Sequence, residues 1–335
     1  LKYAPDPARS LEAGARRFCT FDDNSGGVYL PLNNQGFDLG RDLYLDSGAA
    51  WLKLGWQPGE LTRLDISYTH HSRRGEKSVT HWGTVTDGAG TLRKIYPARK
   101  EVREDRHVLQ LEFEHEFDGL LISDQARVEF LNLNTRDIHV DTQVVTKPGP
   151  DKHVRTRERH EAIQGMNAIG LEKEVLDGWV ITAGYLYSRT DAEASLHQVT
   201  TVTPLATVAP ATFAAGGFWS GNALVLDSET HLFNLNQRLG PWGGWTLILG
   251  AQSEWRRQDG FGNVNLDVGD PATFGIFASP AFVQSNLDRV SLEESASFRY
   301  DRIPWSVLTL RGRFRQESYS QFEQDIGGGQ DFLTS

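Results

Sequence analysis

The chain has 335 residues, 39% of them hydrophobic, and a formal charge of −10. Its acidic balance argues against nucleic acid as a partner, and the single cysteine, Cys19, excludes an intrachain disulfide, a CxxC metal knuckle and a CxxCH haem-attachment site. No run of about 18 apolar residues is present to form a transmembrane helix, whereas a transmembrane strand, half of whose residues can be polar, stays open.

The first 42 residues begin LKYAPDPARS, without Met, a basic n-region or an apolar h-region. They are expected to be a loop segment of a processed chain or an internal fragment. From residue 43 the hydrophobic period is two rather than 3.6. Leu52, Leu54 and Trp56 lead through QPGE to Leu64, Ile66 and Tyr68. His107, Leu109, Leu111, Phe113, His115 and Phe117 lead through DG to Ile122, Ala126, Val128 and Phe130. Ile169 and Leu171 lead through LDG to Trp179, Ile181, Ala183, Tyr185 and Tyr187. His231, Phe233 and Leu235 lead through LGPWGG to Trp245, Leu247, Leu249, Ala251, Ser253 and Trp255. Leu292, Ala296, Phe298 and Tyr300 lead through RIP to Leu308, Leu310 and Phe314. These are five hairpins, about ten strands, over residues 43–318, with 319–335 opening a further loop.

The tight turns centre near Gly59, Asp118, Asp177, Pro241 and Ile303, a repeat of about 60 residues. A propeller repeat needs four strands, and this one has two. Between the hairpins, roughly 72–103, 135–160, 190–222 and 257–287 are rich in Gly, Pro, Thr and Asp and are expected as long loops. Short turns at one rim and long loops at the other are the plan of an up-and-down transmembrane β-barrel. Trp245 and Trp255 lie ten residues apart on one face. That separation is about 33 Å along a strand, or roughly 25 Å along the membrane normal at a tilt near 40°, the height of an outer-membrane apolar band. Trp56, Trp179, Tyr187, Trp242, Trp245, Trp255 and Trp305 are therefore expected to form aromatic girdles.

The alternate positions are polar. Arg63, Asp65, Glu112, Glu114, Glu116, Arg127, Glu129, Glu254, Arg256, Glu293, Arg299, Arg311, Arg313 and Arg315 are expected to face a lumen. Like charges at i, i+2 and i+4, as in Glu112, Glu114 and Glu116, need water or opposite-sign neighbours such as Arg127.

Catalytic motifs are missing. GFWSG (217–221) is not a nucleophile elbow, and RRGEKS (73–78) lacks the P-loop pattern. DDNSGG (22–27) lacks the spacing and closing Glu of a calcium loop, and no histidine pair has HExxH spacing. No catalytic, cofactor or metal site is expected.

The stretches RDLYLDSGAAWLKLGWQPGELTRLDISYTHHSRRGEKSVTHWG (41–83) and KIYPARKEVREDRHVLQLEFEHEF (94–117), with phrases such as HWG and IYPA, resemble large bacterial outer-membrane barrels. They are similar to the decahaem-cytochrome-associated Mtr/Pio type, over about residues 40–320. This resemblance implies a long barrel that sheathes a periplasmic multihaem cytochrome and lets electrons cross the outer membrane, with the haem on the partner.

The expectation is thus an all-β, antiparallel up-and-down barrel, part of a larger one, in the outer membrane of a Gram-negative bacterium. Short turns are periplasmic and long loops external, and the role is a porin-like channel or a sheath for a partner such as a multihaem cytochrome. The competing expectation is a soluble extracellular β-rich protein that recognises glycans or proteins through its loops. In the barrel Leu247, Leu249, Ile181 and Phe113 meet lipid, and in the soluble protein they meet each other.

Overall fold

The computed structural model describes residues 2–6, 9–22, 43–87, 90–141, 151–203, 216–269 and 279–326. They form twelve strands: β1 (Lys2–Asp6), β2 (Arg9–Asp22), β3 (Leu43–Gly59), β4 (Thr62–Asp87), β5 (Gly90–Phe117), β6 (Leu120–Asp141), β7 (Asp151–Leu176), β8 (Trp179–Thr203), β9 (Gly216–Trp242), β10 (Trp245–Gly269), β11 (Ser279–Tyr300) and β12 (Leu308–Ile326). All twelve belong to one sheet whose spatial order is the chain order, and neighbours are antiparallel throughout. The fold is all-β and up-and-down.

The tight turns follow from local chemistry. Asp118–Gly119 and Gly243–Gly244 hold both central residues at positive φ, as a two-residue hairpin loop requires to match strand twist. The five tight turns that the repeat predicts lie at one rim, and neighbouring ones are stitched together. Glu116 N–H donates to the Leu61 carbonyl at 2.8 Å, Gly240 N–H to Gly178 at 2.8 Å, and Asp301 N–H to Gly244 at 2.9 Å. Pro241, expected at the centre of its turn, lies within β9, and the chain reverses at Gly243–Gly244.

Three expectations need correction. Residues 1–42 are not simply a loop segment: they contribute β1 and β2, so the sheet has two strands more than the repeat predicts. The segments expected as long loops are largely strand. The β4–β5 ladder runs from Thr62↔His115 to Asp87↔Gly90, β6–β7 reaches Asp141↔Lys152, β7–β8 reaches Asp151↔Thr203, and β9–β10 reaches Gly269↔Gly216. The connection between β4 and β5 is residues 88–89 alone, as short as the turns of the opposite rim. The physical reason is wetting. Outside an apolar band both faces of a strand meet water, so the period-two hydropathy pattern disappears while the backbone ladder continues. Finally, β12 runs to Ile326, past the expected boundary at 318. The segments 22–27 (beyond Asp22) and 327–335 lie outside the described residues.

β4 has 26 residues and β5 has 28, or roughly 85–90 Å of extended chain. At a tilt near 40° that is roughly 65–70 Å of wall, more than twice the height of an outer-membrane apolar band. Among the described residues the sheet is open: β1 pairs with β2 and β12 with β11, with no closing pair between them. Every residue of β12 from Leu308 to Glu323 is exposed.

A ladder in place of a loop has a direct consequence for proteolysis. Trypsin sites at Arg73, Arg74, Arg99, Lys100, Arg103 and Arg106 sit in paired strand. In the folded protein in detergent micelles they are expected to resist cleavage that the urea-unfolded chain undergoes. Peptide mapping that finds rapid cutting there in the folded state would restore the loop.

Candidate functional site

The register sorts the side chains into two faces. On one, Leu52 lies opposite Tyr68 and Leu54 opposite Ile66, Ile66 opposite Leu111 and Tyr68 opposite Leu109, and Leu109 opposite Val128. The row continues through Ile169↔Tyr185, Tyr185↔Phe233, Leu239↔Leu247, Leu247↔Phe298 and Phe298↔Leu310. Many of these side chains stand in the open: Leu52, Leu109, Phe233, Leu249 and Trp255 are each 40–49% exposed. Among the described residues the only buried hydrophobic side chains are Val102 and Val154. Leu247, Leu249, Ile181 and Phe113 therefore share one face of one sheet, with no second layer packed against it.

That apolar band has polar interruptions. Asp124 lies opposite Phe113 and Ile169, and its carboxylate accepts a hydrogen bond from Asn167 Nδ2 at 2.6 Å. Pairing within the face is how a carboxylate is tolerated there.

Aromatic residues mark both margins. Trp56, Trp179 and Trp245 sit in the last rows before the turn rim. Trp242 packs edge-on against Trp245, centroids 5.2 Å apart, and its Nε1–H donates to the Asp177 carbonyl at 3.0 Å, tying two hairpin turns together. Trp305 stands fully exposed in the β11–β12 turn. At the far margin Tyr187, His231 and Trp255 form one continuous cross-strand row. Two Tyr–His pairs, which pattern reading does not reveal, occupy this level. The Tyr68 hydroxyl bonds His107 Nδ1 at 2.7 Å and the Tyr185 hydroxyl bonds His231 Nδ1 at 2.8 Å; His70 stacks on His107 at 4.6 Å.

The opposite face carries the polar set. Arg63, Asp65, Glu112, Glu114 and Glu116 line up with Arg127 and Glu129 through β4–β5–β6 pairing. Glu254, Arg256, Glu293, Arg299, Arg311, Arg313 and Arg315 do so through β10–β11–β12. Asp65 is buried, 2.7 Å from Arg63 and 3.9 Å from Lys53. Glu129 accepts from Arg106 at 2.8 Å and from Arg127 at 2.7 Å; Arg106 is a member that the hairpin pattern left out. Arg313 pairs with Glu293, and Arg289 lies 2.6 Å from Glu317, which also pairs with Arg315. Glu114, Glu116 and Arg311 make no ion pair among the described residues, so this face keeps net unpaired charge in water.

Further from the turn rim the same face continues in the tall part of the wall. Glu158 accepts from Thr135 at 2.7 Å and from Lys100 at 3.0 Å. Burial works to raise its pKa, but the Thr135 hydroxyl and the Lys100 ammonium outweigh burial and hold it below the ordinary glutamate range.

No family model matches the sequence, and no curated protein matches it. Among solved structures the chain is similar to the translocator domain of the autotransporter NalP from Neisseria meningitidis, with 11% identity over 92% of this chain and 87% of that one, at a TM-score of 0.26. It is also similar to the siderophore receptor PiuA from Acinetobacter baumannii, with 9% identity over 96% of this chain and 73% of that one, at a TM-score of 0.34. Both are outer-membrane β-barrels. The up-and-down wall, with one apolar and one charged face, rests on this chain's own strand order and register.

The Glu158 cluster yields a pH dependence. Its pKa is depressed in the fold, so its stabilisation is present above the ordinary glutamate range and is lost as pH falls through the depressed value. Glu158→Gln is expected to lower the melting temperature at pH 7 and to make little difference at about pH 3. Melting curves that differ equally at both pH values would show that the carboxylate charge is not what matters.

Proposed function

We propose that this chain forms wall of an outer-membrane β-barrel in a Gram-negative bacterium, with the apolar face toward lipid and the charged face toward a water-filled interior. One observation carries the reading. A single layer exposes an apolar band about one membrane high, bounded by aromatic rows, and puts paired ions on its other face. A soluble sandwich would bury the first face under a second sheet. The chain acts as a passage or a sleeve, not as a catalyst.

Within that role, a sheath for a partner protein is favoured over a simple solute pore. The support is the resemblance of residues 41–83 and 94–117 to the Mtr/Pio-type barrels, together with a wall more than twice as tall as the membrane requires. A partner carrying haem would supply the electron path, and this chain would insulate it. Isolation of the full-length protein from its native membrane is expected to bring a haem-staining protein with it. Recovery of the barrel alone, with solute conductance in planar bilayers, would favour the open pore.

The facing assignment is tested by a pair of substitutions. Leu249, midway between Trp245 and Trp255, becomes costly when charged: Leu249→Arg is expected to weaken folding into vesicles by roughly 2–4 kcal/mol. Gln252→Arg, across the sheet and opposite Glu293, is expected to cost under about 1 kcal/mol. Equal penalties in a urea titration would contradict the two-faced wall.

A further inference from the structure

At the turn rim the interior face sorts its charges by strand. Glu112, Glu114 and Glu116 on β5 stand opposite Gln125, Ser123 and Leu121. On β7, Glu172 is opposite Leu121 and Glu174 opposite Val180, so all five carboxylates project inward. Arg238 on β9 and Arg311 on β12 face the same way through the row Arg238↔Ile248, Ile248↔Ser297 and Ser297↔Arg311, with Arg299 two residues from Ser297 on β11. All lie in the last rows before the tight turns. Among the described residues no ion pair joins any of them. Gln110 Nε2 donates to Glu112 at 2.7 Å and Gly178 N–H to Glu174 at 3.0 Å. Arg63, opposite Glu114 in the ladder, is turned to the buried Asp65 at 2.7 Å.

We propose that this rim is a docking seat for a soluble protein that enters the barrel from the turn side. Its inserted surface presents a basic patch to β5–β7, an uncharged ridge, and an acidic patch to β9–β12; the inference rests on the membrane and sheath readings above. Three observations carry it. The first is separation of sign. Even the nearest members, Glu174 on β7 and Arg238 on β9, stand two strand spacings apart, about 10 Å from backbone to backbone. Glu114 and Arg299 stand roughly 30 Å apart along the sheet. Both distances exceed the roughly 8 Å beyond which salt screens exposed charges from each other. The two sets therefore do not neutralise one another. Within the acidic set, like charges on β5 follow each other every 7 Å or so along the strand, and a surface of opposite sign relieves their repulsion.

The second observation is shape. Between the two sets lies a trough of about 500 Å³, floored by Gly170 and Gly184 and lined by Leu121, Thr182, Leu186 and Leu232, with Glu172 at its acidic margin. A Cβ at Gly170 would stand 2.5 Å from Ser123 Oγ, and one at Gly184 would stand 2.8 Å from Asn234 Oδ1. Glycine thus keeps the floor at backbone level, and a ridge on the partner can settle into it. The third is open apolar surface. Leu121 is 40% and Ile248 43% exposed on this interior face, one beside each charged set. A small polar solute gains nothing from them. An apolar middle with charge around it is the anatomy of a protein interface.

The test is site-specific photocrosslinking of the full-length protein in its native membrane. A p-benzoylphenylalanine side chain replaces Leu121 beside the acidic set, Ile248 beside the basic set, or Leu249 on the lipid face, one at a time. Leu121 and Ile248 are expected to capture the same protein. Peptide sequencing should then find Lys and Arg around the first crosslink and Asp and Glu around the second. Glu112→Gln, Glu114→Gln and Glu116→Gln together should lower capture at Leu121 by about tenfold. Arg238→Gln, Arg299→Gln and Arg311→Gln together should do the same at Ile248. Should a triple variant fail to fold, as judged by loss of heat-shifted gel mobility, Glu114→Gln with Glu116→Gln, or Arg299→Gln with Arg311→Gln, is expected to cost about threefold. Crosslinks confined to this chain or a second copy of it, captured surfaces of one sign at both sites, or capture indifferent to the Gln variants would each overturn the proposal. The readings beneath it fail differently. A protein captured without the charge pattern leaves the sheath and loses only this inference, and no protein captured loses the sheath too. Capture of the same protein from Leu249, in place of lipid, loses the membrane reading as well.

Discussion

Everything in this structure depends on the backbone hydrogen-bond ladder between sequential strands. In a hydrocarbon environment a peptide N–H or C=O has no water to fall back on, so each must be satisfied by the neighbouring strand. A ladder that pairs every strand with its sequence neighbour meets that demand and leaves side chains free to choose a face. The register shifts are few and local, such as those between Trp245 and Leu247 and between Ala194 and Leu196. Because the period is two, even one slipped residue would exchange the faces.

The two faces then solve separate problems. Exposed Leu, Phe and Trp are compatible with lipid and would be a liability in water. On the other face, carboxylates and guanidinium groups lie close enough to pair, as around Asp65 and Glu129, yet a solvent-exposed pair adds little stability. Their effect is to give that face its charge. The tall part of the wall departs from this plan: both of its faces carry charged groups, with Leu224, Val225, Leu226, Phe261 and Phe282 exposed among them. There the pairing of Thr135, Lys100 and Glu158 and the burial of Val102 and Val154 take over.

The open edges have a related physical meaning. β12 presents a strand exposed from Leu308 to Glu323, with one row of peptide groups unpaired among the described residues. Such an edge in lipid is costly and in water invites pairing with another strand. The geometry of the sheet is therefore that of a wall which works when its edges are covered.

Much of this was legible from residue order. The alternation at Leu52–Trp56, Trp179–Tyr187 and Trp245–Trp255 specified strands and their greasy face, and Asp118–Gly119 specified its turn, because both signals are local and reflect backbone sterics and pleat. The sequence even carries the ion-pair couples beyond the apolar band, as Glu-x-Arg at 101–103, Arg-x-Glu at 159–161 and Arg-x-Asp at 189–191 and 257–259. Sequence pattern does not place those couples on a strand, because their segments have no hydrophobic period and pass for loops. Only the tertiary structure decided that the ladder continues there, that β1 and β2 join the sheet, and that Tyr68 meets His107 and Tyr185 meets His231. Strand continuation in water is stabilised by a partner distant in sequence, and no local pattern records which partner that will be.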